Sequence, residues 1–216
     1  MALPKRSFAA IIALMSWSAI SGQFLISIDH SSMTTWELVV RFFSYFTILT
    51  NLMVAVCCSS IVLFSQNKIG IFFSKPTTIT AVTLYILIVG LVYNVILRPL
   101  WQPVGIARVT DEMLHSLIPI LVLIFWSKLI DGNVLQWGSV LSWLLYPLIY
   151  LLYTLWHGAF SGFYPYPFMD VSVLGINRVL MNSLMITLAF LLIGLLLILI
   201  HKRVSKSRQK AYINHI

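Results

Sequence analysis

Residues 41–54 read RFFSYFTILTNLMV. An apolar run opens here and extends over 42–64, long enough to cross a bilayer, since a spanning helix needs about 20 residues. Its first half nonetheless carries Ser44, Thr47, Thr50 and Asn51. At about 100° per residue, Ser44, Thr47 and Asn51 share one helix face, and Cys58 continues the stripe. Polar groups that face lipid leave hydrogen bonds unmade, so the stripe is expected to point into a helix bundle or a cavity. The plainer reading has these small side chains bonding back to their own helix or gluing helices together. A second polar cluster around His115, at the same expected depth, favours a site.

The whole chain shares this apolar character. Of its 216 residues 60% are hydrophobic and 9% charged, with a mean hydropathy of +0.95; a soluble domain carries about 25% charge. Six apolar runs stand out, at 7–28, 42–64, 77–97, 113–127, 134–155 and 179–200, the fourth being the shortest. They predict an all-α membrane protein, a six-transmembrane-helix bundle forming one integral membrane domain over 1–216. The connections are short, so sequence neighbours are expected to pack as antiparallel neighbours. Lys5 and Arg6 ahead of an apolar stretch, with Ala19-Ile20-Ser21 behind it, look like a signal peptide. The apolar character runs on to Ile28, which better suits an uncleaved first helix.

The net charge of +8 follows topology rather than nucleic-acid binding. With a cytoplasmic N-terminus, Lys5, Arg6, Lys68, Lys75, Lys128 and the cations of the tail fall on the cytoplasmic side. Arg41, Arg98, Arg108 and Arg178 fall outside. That bias predicts both termini in the cytoplasm. The acids mirror it, with Asp29, Glu37, Asp111, Glu112 and Asp170 outside and Asp131 inside. The tail HKRVSKSRQK reads as a topology signal touching anionic membrane lipid. His201 at its start marks the cytoplasmic end of the sixth helix, while His30 and His215 are expected to face solvent. The Trp and Tyr residues of 143–166 suit an interfacial aromatic belt. Pro99, Pro103, Pro119, Pro147, Pro165 and Pro167 are expected to set loops and kinks.

This topology gathers the polar intramembrane residues in the outer half. Gly90, Asn94 and Arg98 are spaced four apart in the third helix; Arg108, Asp111, Glu112 and His115 open the fourth. The fifth ends at Trp156-His157, and the sixth begins with Asn177, Arg178 and Asn182. Ionisable groups at such depth are functional candidates. Asp111 lies four residues before His115 and Glu112 three, so either carboxylate can reach its face. A carboxylate holding one imidazole nitrogen leaves the other free as a base. Thr47 is expected about 9 Å along its helix from Arg41, near the acyl-ester level of a lipid, and its hydroxyl needs such a base to act as a nucleophile. Arg41, Arg98 and Arg178 can bind a carboxylate or phosphate, and Asn51 and Asn94 can donate to an oxyanion. Against this stands a His115 that merely ends a helix, bonded to Glu112 or a carbonyl. His157 reads either as an interfacial residue or as a substrate contact.

No metal or other cofactor is expected. Cys57 and Cys58 are adjacent, cannot readily bridge and match no metal spacing. Haem would want facing His pairs, and His115 with His157 makes at most one. G-x-S-x-G, H-E-x-x-H and Walker A patterns are absent.

Three stretches carry a resemblance. They are Tyr45-Phe46-Thr47 at an aromatic-rich helix start, His115-Ser116-Leu117-Ile118-Pro119, and Trp156-His157 followed by Gly162-Phe163-Tyr164-Pro165-Tyr166-Pro167-Phe168-Met169-Asp170. In this order they resemble the androgen-induced / androgen-dependent tissue-factor-pathway-inhibitor-regulating protein family, in particular its bacterial six-helix branch. Animal members are threonine hydrolases of fatty-acid esters of hydroxy fatty acids. The resemblance implies Thr47 as nucleophile and His115 as its histidine, with Thr50 competing for the threonine position. It also implies a plasma membrane location, a bacterial inner membrane. The His115–Pro119 spacing is a residue shorter than in the animal form.

Two functions are therefore carried forward. One is an intramembrane threonine hydrolase of lipid-like esters, with Asp111 or Glu112 orienting His115 and Arg41, Arg98, Arg178 or His157 holding substrate. The other is a non-catalytic small-molecule or lipid binding or transport protein using the same outer cavity. The sparse polarity of the cytoplasmic half ranks transport second.

Overall fold

In a computed structural model, the chain is described over residues 3–29, 31–130 and 135–213. His30, Asp131 and His215 lie outside these residues, as does Val134 at the start of the fifth expected span. The helices are α1 (Leu3–Asp29), α2 (Thr35–Phe43), α3 (Phe46–Leu63), α4 (Lys68–Phe73) and α5 (Pro76–Val92). Then follow α6 (Gly105–Glu112), α7 (Ile118–Lys128), α8 (Ser139–Trp143), α9 (Leu145–Ser161), α10 (Val171–Leu174) and α11 (Ile176–Ile213). Two π-helical turns, Tyr93–Leu97 and Met113–Leu117, extend α5 and join α6 to α7. Six stretches are long and apolar enough to cross a membrane: Pro4–Asp29, Phe46–Leu63, Pro76–Leu97, Gly105–Lys128, Ser139–Ser161 and Ile176–Arg208. The expected all-α fold with six spanning helices is observed.

The differences from the expected runs have local causes. The fourth span starts at Gly105, well before the apolar run, because α6 is amphipathic and carries Arg108, Asp111 and Glu112 inside the helix. The second does not start at residue 42. Thr34 caps α2 through the Glu37 amide, and α2 buries Leu38 and Phe42. The helix then stops at Ser44, whose hydroxyl bonds back to the Val40 carbonyl at 2.7 Å. Tyr45 is extended (φ −80°, ψ 126°) and α3 begins afresh at Phe46.

The close helix pairs are α1–α3, α3–α5, α5–α7, α1–α7 and α5–α11. Sequence neighbours thus pack together through α7, and α11 packs both on α8 of the preceding span and on α5. The stripe read from the sequence does face inward: Ser44, Thr47, Asn51 and Cys58 are all buried, and so is Thr50. α9 reaches the α2–α3 junction and Thr50 of α3 through tyrosines about one turn apart. Tyr146 reaches Thr50 (3.2 Å), Tyr150 donates to the Ser44 carbonyl (2.8 Å), and Tyr153 meets the Ser44 hydroxyl (2.8 Å). These rings, and buried Tyr166, therefore do not form an interfacial belt; Trp156 and Phe160 remain exposed.

The start of α1 and the later part of α11 lie at one end of the bundle. Lys5 and His201 line one space there, and the Arg6 guanidinium donates to the Val62 carbonyl at the end of α3 (2.7 Å). His201 does not mark a helix end: it is 1% exposed, and α11 continues to Ile213. The 38 residues of α11 make a rod of about 57 Å at 1.5 Å per residue, well beyond a hydrocarbon core of about 30 Å.

Candidate functional site

The break between α2 and α3 leaves the first amides of α3 without helical partners. Tyrosine phenols from elsewhere supply them. The Phe46 amide donates to Tyr150 Oη (3.2 Å), and the Thr47 amide donates to Tyr166 Oη (3.2 Å). The Tyr166 oxygen also lies 3.3 Å from Thr47 Oγ1. Thr47 is thus the second residue of a helix, at the positive end of its dipole. Burial pushes the Tyr166 phenol up to about 12, against the smaller opposing pull of its bonds to Thr47. It therefore keeps its proton at neutral pH.

The two π-helical turns meet across the bundle. In each, an extra residue enters the turn, as in the Arg98 amide bonding the Tyr93 carbonyl at 2.8 Å. Such bulges re-aim side chains and occur often at functional sites. Here they stack the Tyr93 ring on the His115 imidazole, with centroids 3.9 Å apart and planes 13° from parallel. Gly90 allows the approach, since a Cβ there would lie 3.1 Å from the His115 carbonyl oxygen and 3.3 Å from Pro119.

His115 Nδ1 lies 2.9 Å from the Asp111 carbonyl oxygen and 3.2 Å from Asp111 Oδ1. The Asp111 carbonyl oxygen can only accept, so this geometry fits the imidazole tautomer with its proton on Nδ1 and its lone pair on Nε2. Asp111 Oδ2 in turn accepts a hydrogen bond from the Tyr93 phenol. Asp111 is 7% exposed, and this Tyr93–Asp111–His115 chain is its hydrogen-bonding environment.

Thr47, Asp111, His115 and Arg41 all line one cavity of about 770 Å³, with Gln23 and Ser27 of α1, Tyr93 and Tyr166. No hydrogen bond joins Thr47 to His115 among the described residues. The Asn51 amide ties their backbones instead, donating to the Thr47 carbonyl (2.9 Å) and the Leu114 carbonyl (3.3 Å). A second, apolar slot of about 80 Å³ lies among α5, α9 and α11. It shares Thr47, Tyr93, Leu97 and Tyr166 with the larger cavity. Thr47 therefore sits where a polar chamber meets an apolar groove.

Several expected site residues are engaged elsewhere. Glu112 accepts from Arg98 (2.7 Å) and Ser116 (2.8 Å), which leaves Asp111 as the carboxylate that holds His115. That pairing occupies Arg98, which also lies over the Tyr93 ring and is not on the cavity wall. Asn94 holds the Gly90 and His115 carbonyls (2.8 and 3.3 Å). Like Asn51, it uses its amide protons to fix backbone, so neither supplies an oxyanion donor. His157 stacks on Tyr153 and bonds Ser161, and Arg178 is exposed; neither lines the cavity. Arg41 does line it, pairing with Glu37 at 2.9 Å and lying over Phe163 at 4.6 Å. Thr50 is fully buried against Tyr146, so of these two threonines it is Thr47 that lines the cavity.

Tyr93 and Tyr166 are the members that sequence reading missed as site residues. Tyr93 adjoins the Asn94 already singled out, but only the π-turn aims it at His115. Tyr166 lies in the aromatic-proline stretch, where no local pattern reveals a bond to an amide more than a hundred residues away.

Six apolar helices long enough to span a bilayer define a multi-pass α-helical membrane protein. No family model, curated protein or solved structure matches the chain.

Proposed function

We propose that the protein is an intramembrane threonine hydrolase of lipid-like esters, in the manner of the family it resembles. The carrying observation is that a carboxylate-held histidine and a hydroxyl at a helix N-terminus line one cavity at the end of the bundle where α2 meets α3. In this reading the substrate carbonyl sits between Thr47 and His115. The Thr47 hydroxyl turns from Tyr166 and attacks the carbonyl carbon as His115 Nε2 takes its proton. The oxyanion lies at the positive end of α3, where the dipole and the Tyr166 phenol favour negative charge. The carbon–oxygen bond to the alcohol breaks as His115 returns the proton to the leaving oxygen. Water, deprotonated by the same nitrogen, then cleaves the acyl-threonine and releases the acid.

The two spaces suggest how substrate lies. An acyl chain suits the apolar slot, and Arg41 suits a carboxylate or other anionic group in the chamber. With the N-terminus in the cytoplasm, the chamber opens toward the outer leaflet of the plasma membrane, an inner membrane in bacteria. Substrate is drawn from membrane lipid, and the reaction requires no metal.

Purified protein in detergent, assayed on a long-chain fluorogenic ester, tests this. Thr47→Ala and His115→Ala are each expected to lower turnover by about 10²–10⁴-fold, with folding intact by gel filtration and circular dichroism. Wild-type rates in both variants would overturn the assignment and favour a binding or transport role for the chamber.

A further inference from the structure

The end of the bundle that holds Lys5 and His201 contains a separate cavity of about 400 Å³. Its polar wall comes from different elements: Lys5 of α1, Ser65 beyond α3, Ser74 beyond α4, Thr80 of α5 and His201 of α11. Thr80 is satisfied, donating to the Pro76 carbonyl (2.7 Å) and accepting from Trp126 Nε1 (2.9 Å). The Lys5 ammonium and the Ser65 and Ser74 hydroxyls have no side-chain hydrogen bond or ion pair among the described residues. The N-terminus of α5, which no side chain caps, borders the same space through Pro76, Ile79 and Thr80. Its dipole adds positive potential there. No carboxylate is among the described lining residues.

We propose that this cavity binds a phosphate group, carried by a lipid headgroup or free in solution. A cation, two hydroxyl donors and a helix N-terminus approach the space from separate sides. That arrangement suits a tetrahedral anion with acceptors on every face better than a planar carboxylate with two. The buried imidazole of His201 completes the wall. Ile61, Ile79, Leu129 and Ile130 give it an apolar side, which suits the first carbons of an attached lipid. This site is independent of the hydrolase reading, and it lies on the side that the basic residues assign to the cytoplasm.

The test is a titration of the purified full-length protein in detergent, followed by calorimetry. The probes are dihexanoyl phosphatidic acid, inorganic phosphate and, as a phosphate-free control, dihexanoylglycerol. Phosphatidic acid is expected to bind one per chain. Lys5→Gln and Ser74→Ala are each expected to weaken it by about tenfold, the loss of one charge-assisted or neutral hydrogen bond. The unliganded unfolding temperatures of both variants are expected to match the wild type, which separates lost binding from lost folding. Competition by inorganic phosphate identifies the free anion as a ligand; binding of the lipid alone identifies a headgroup that needs its chains. Failure of both phosphate compounds to bind overturns the proposal. So does equal binding of dihexanoylglycerol, or wild-type affinity in both folded variants.

Discussion

The two ends of this bundle handle buried polarity in opposite ways. Around His115 the charges answer one another: Asp111 holds the imidazole and the Tyr93 phenol, and Glu112 holds Arg98 and Ser116. Around Lys5, among the described residues, the donors of Ser65, Ser74 and the ammonium have no side-chain partner, and no acid lines the space. Paired charges fix geometry and orient a base, whereas donors without side-chain partners suit the anion proposed above. The contrast teaches that polarity alone does not define a membrane site. What matters is which groups already hold each other.

The contrast can be broken first at the carboxylates. If Asp111 orients the base and Glu112 only pins Arg98, Asp111→Asn lowers ester turnover by about 10²-fold or more. Glu112→Gln then lowers it by no more than a few-fold. Equal losses in the two variants, measured as kcat under saturating substrate, would dissolve the distinction. Tyr166→Phe removes one donor at the oxyanion position and one partner of the Thr47 amide. Turnover is expected to fall about tenfold, with substrate affinity read from KM nearly unchanged. Arg41→Gln is expected to raise KM about tenfold for an ester bearing a free carboxylate and not for its methyl ester. Arg178→Gln, away from the cavity, should leave both substrates alone. The smallest effect is structural. A Cβ at Gly158 would lie 2.1 Å from the Tyr164 ring, so Gly158→Ala costs about 1–3 kcal/mol of overpacking. Its readout is an unfolding temperature lowered by a few degrees.

Hydropathy made the six spans legible because a bilayer imposes length and apolarity on every crossing. The inward stripe of Ser44, Thr47 and Asn51 was legible for the same reason. The helix break at Ser44–Tyr45 was not, since the apolar run passes through it unchanged. The phenols that satisfy the interrupted backbone, Tyr150 and Tyr166, come from distant segments. The π-turns were equally hidden. Asp111 holds His115 while Glu112 holds Ser116, each four residues apart, a choice that helical spacing leaves open. Asn51 and Asn94 looked like donors for chemistry because a sequence does not reveal which carbonyls a folded backbone leaves exposed. The cavity near Lys5 escaped notice because its hydroxyls lie in short connections, one residue at a time.

The most direct test of the central claim is the mass of the intact purified protein after exposure to a fluorophosphonate, with the adduct mapped by peptide sequencing. Phosphonylation requires a hydroxyl activated by a neighbouring base. The account predicts one adduct on Thr47 in the wild type, lost in both Thr47→Ala and His115→Ala. An adduct elsewhere that survives in both folded variants would contradict it.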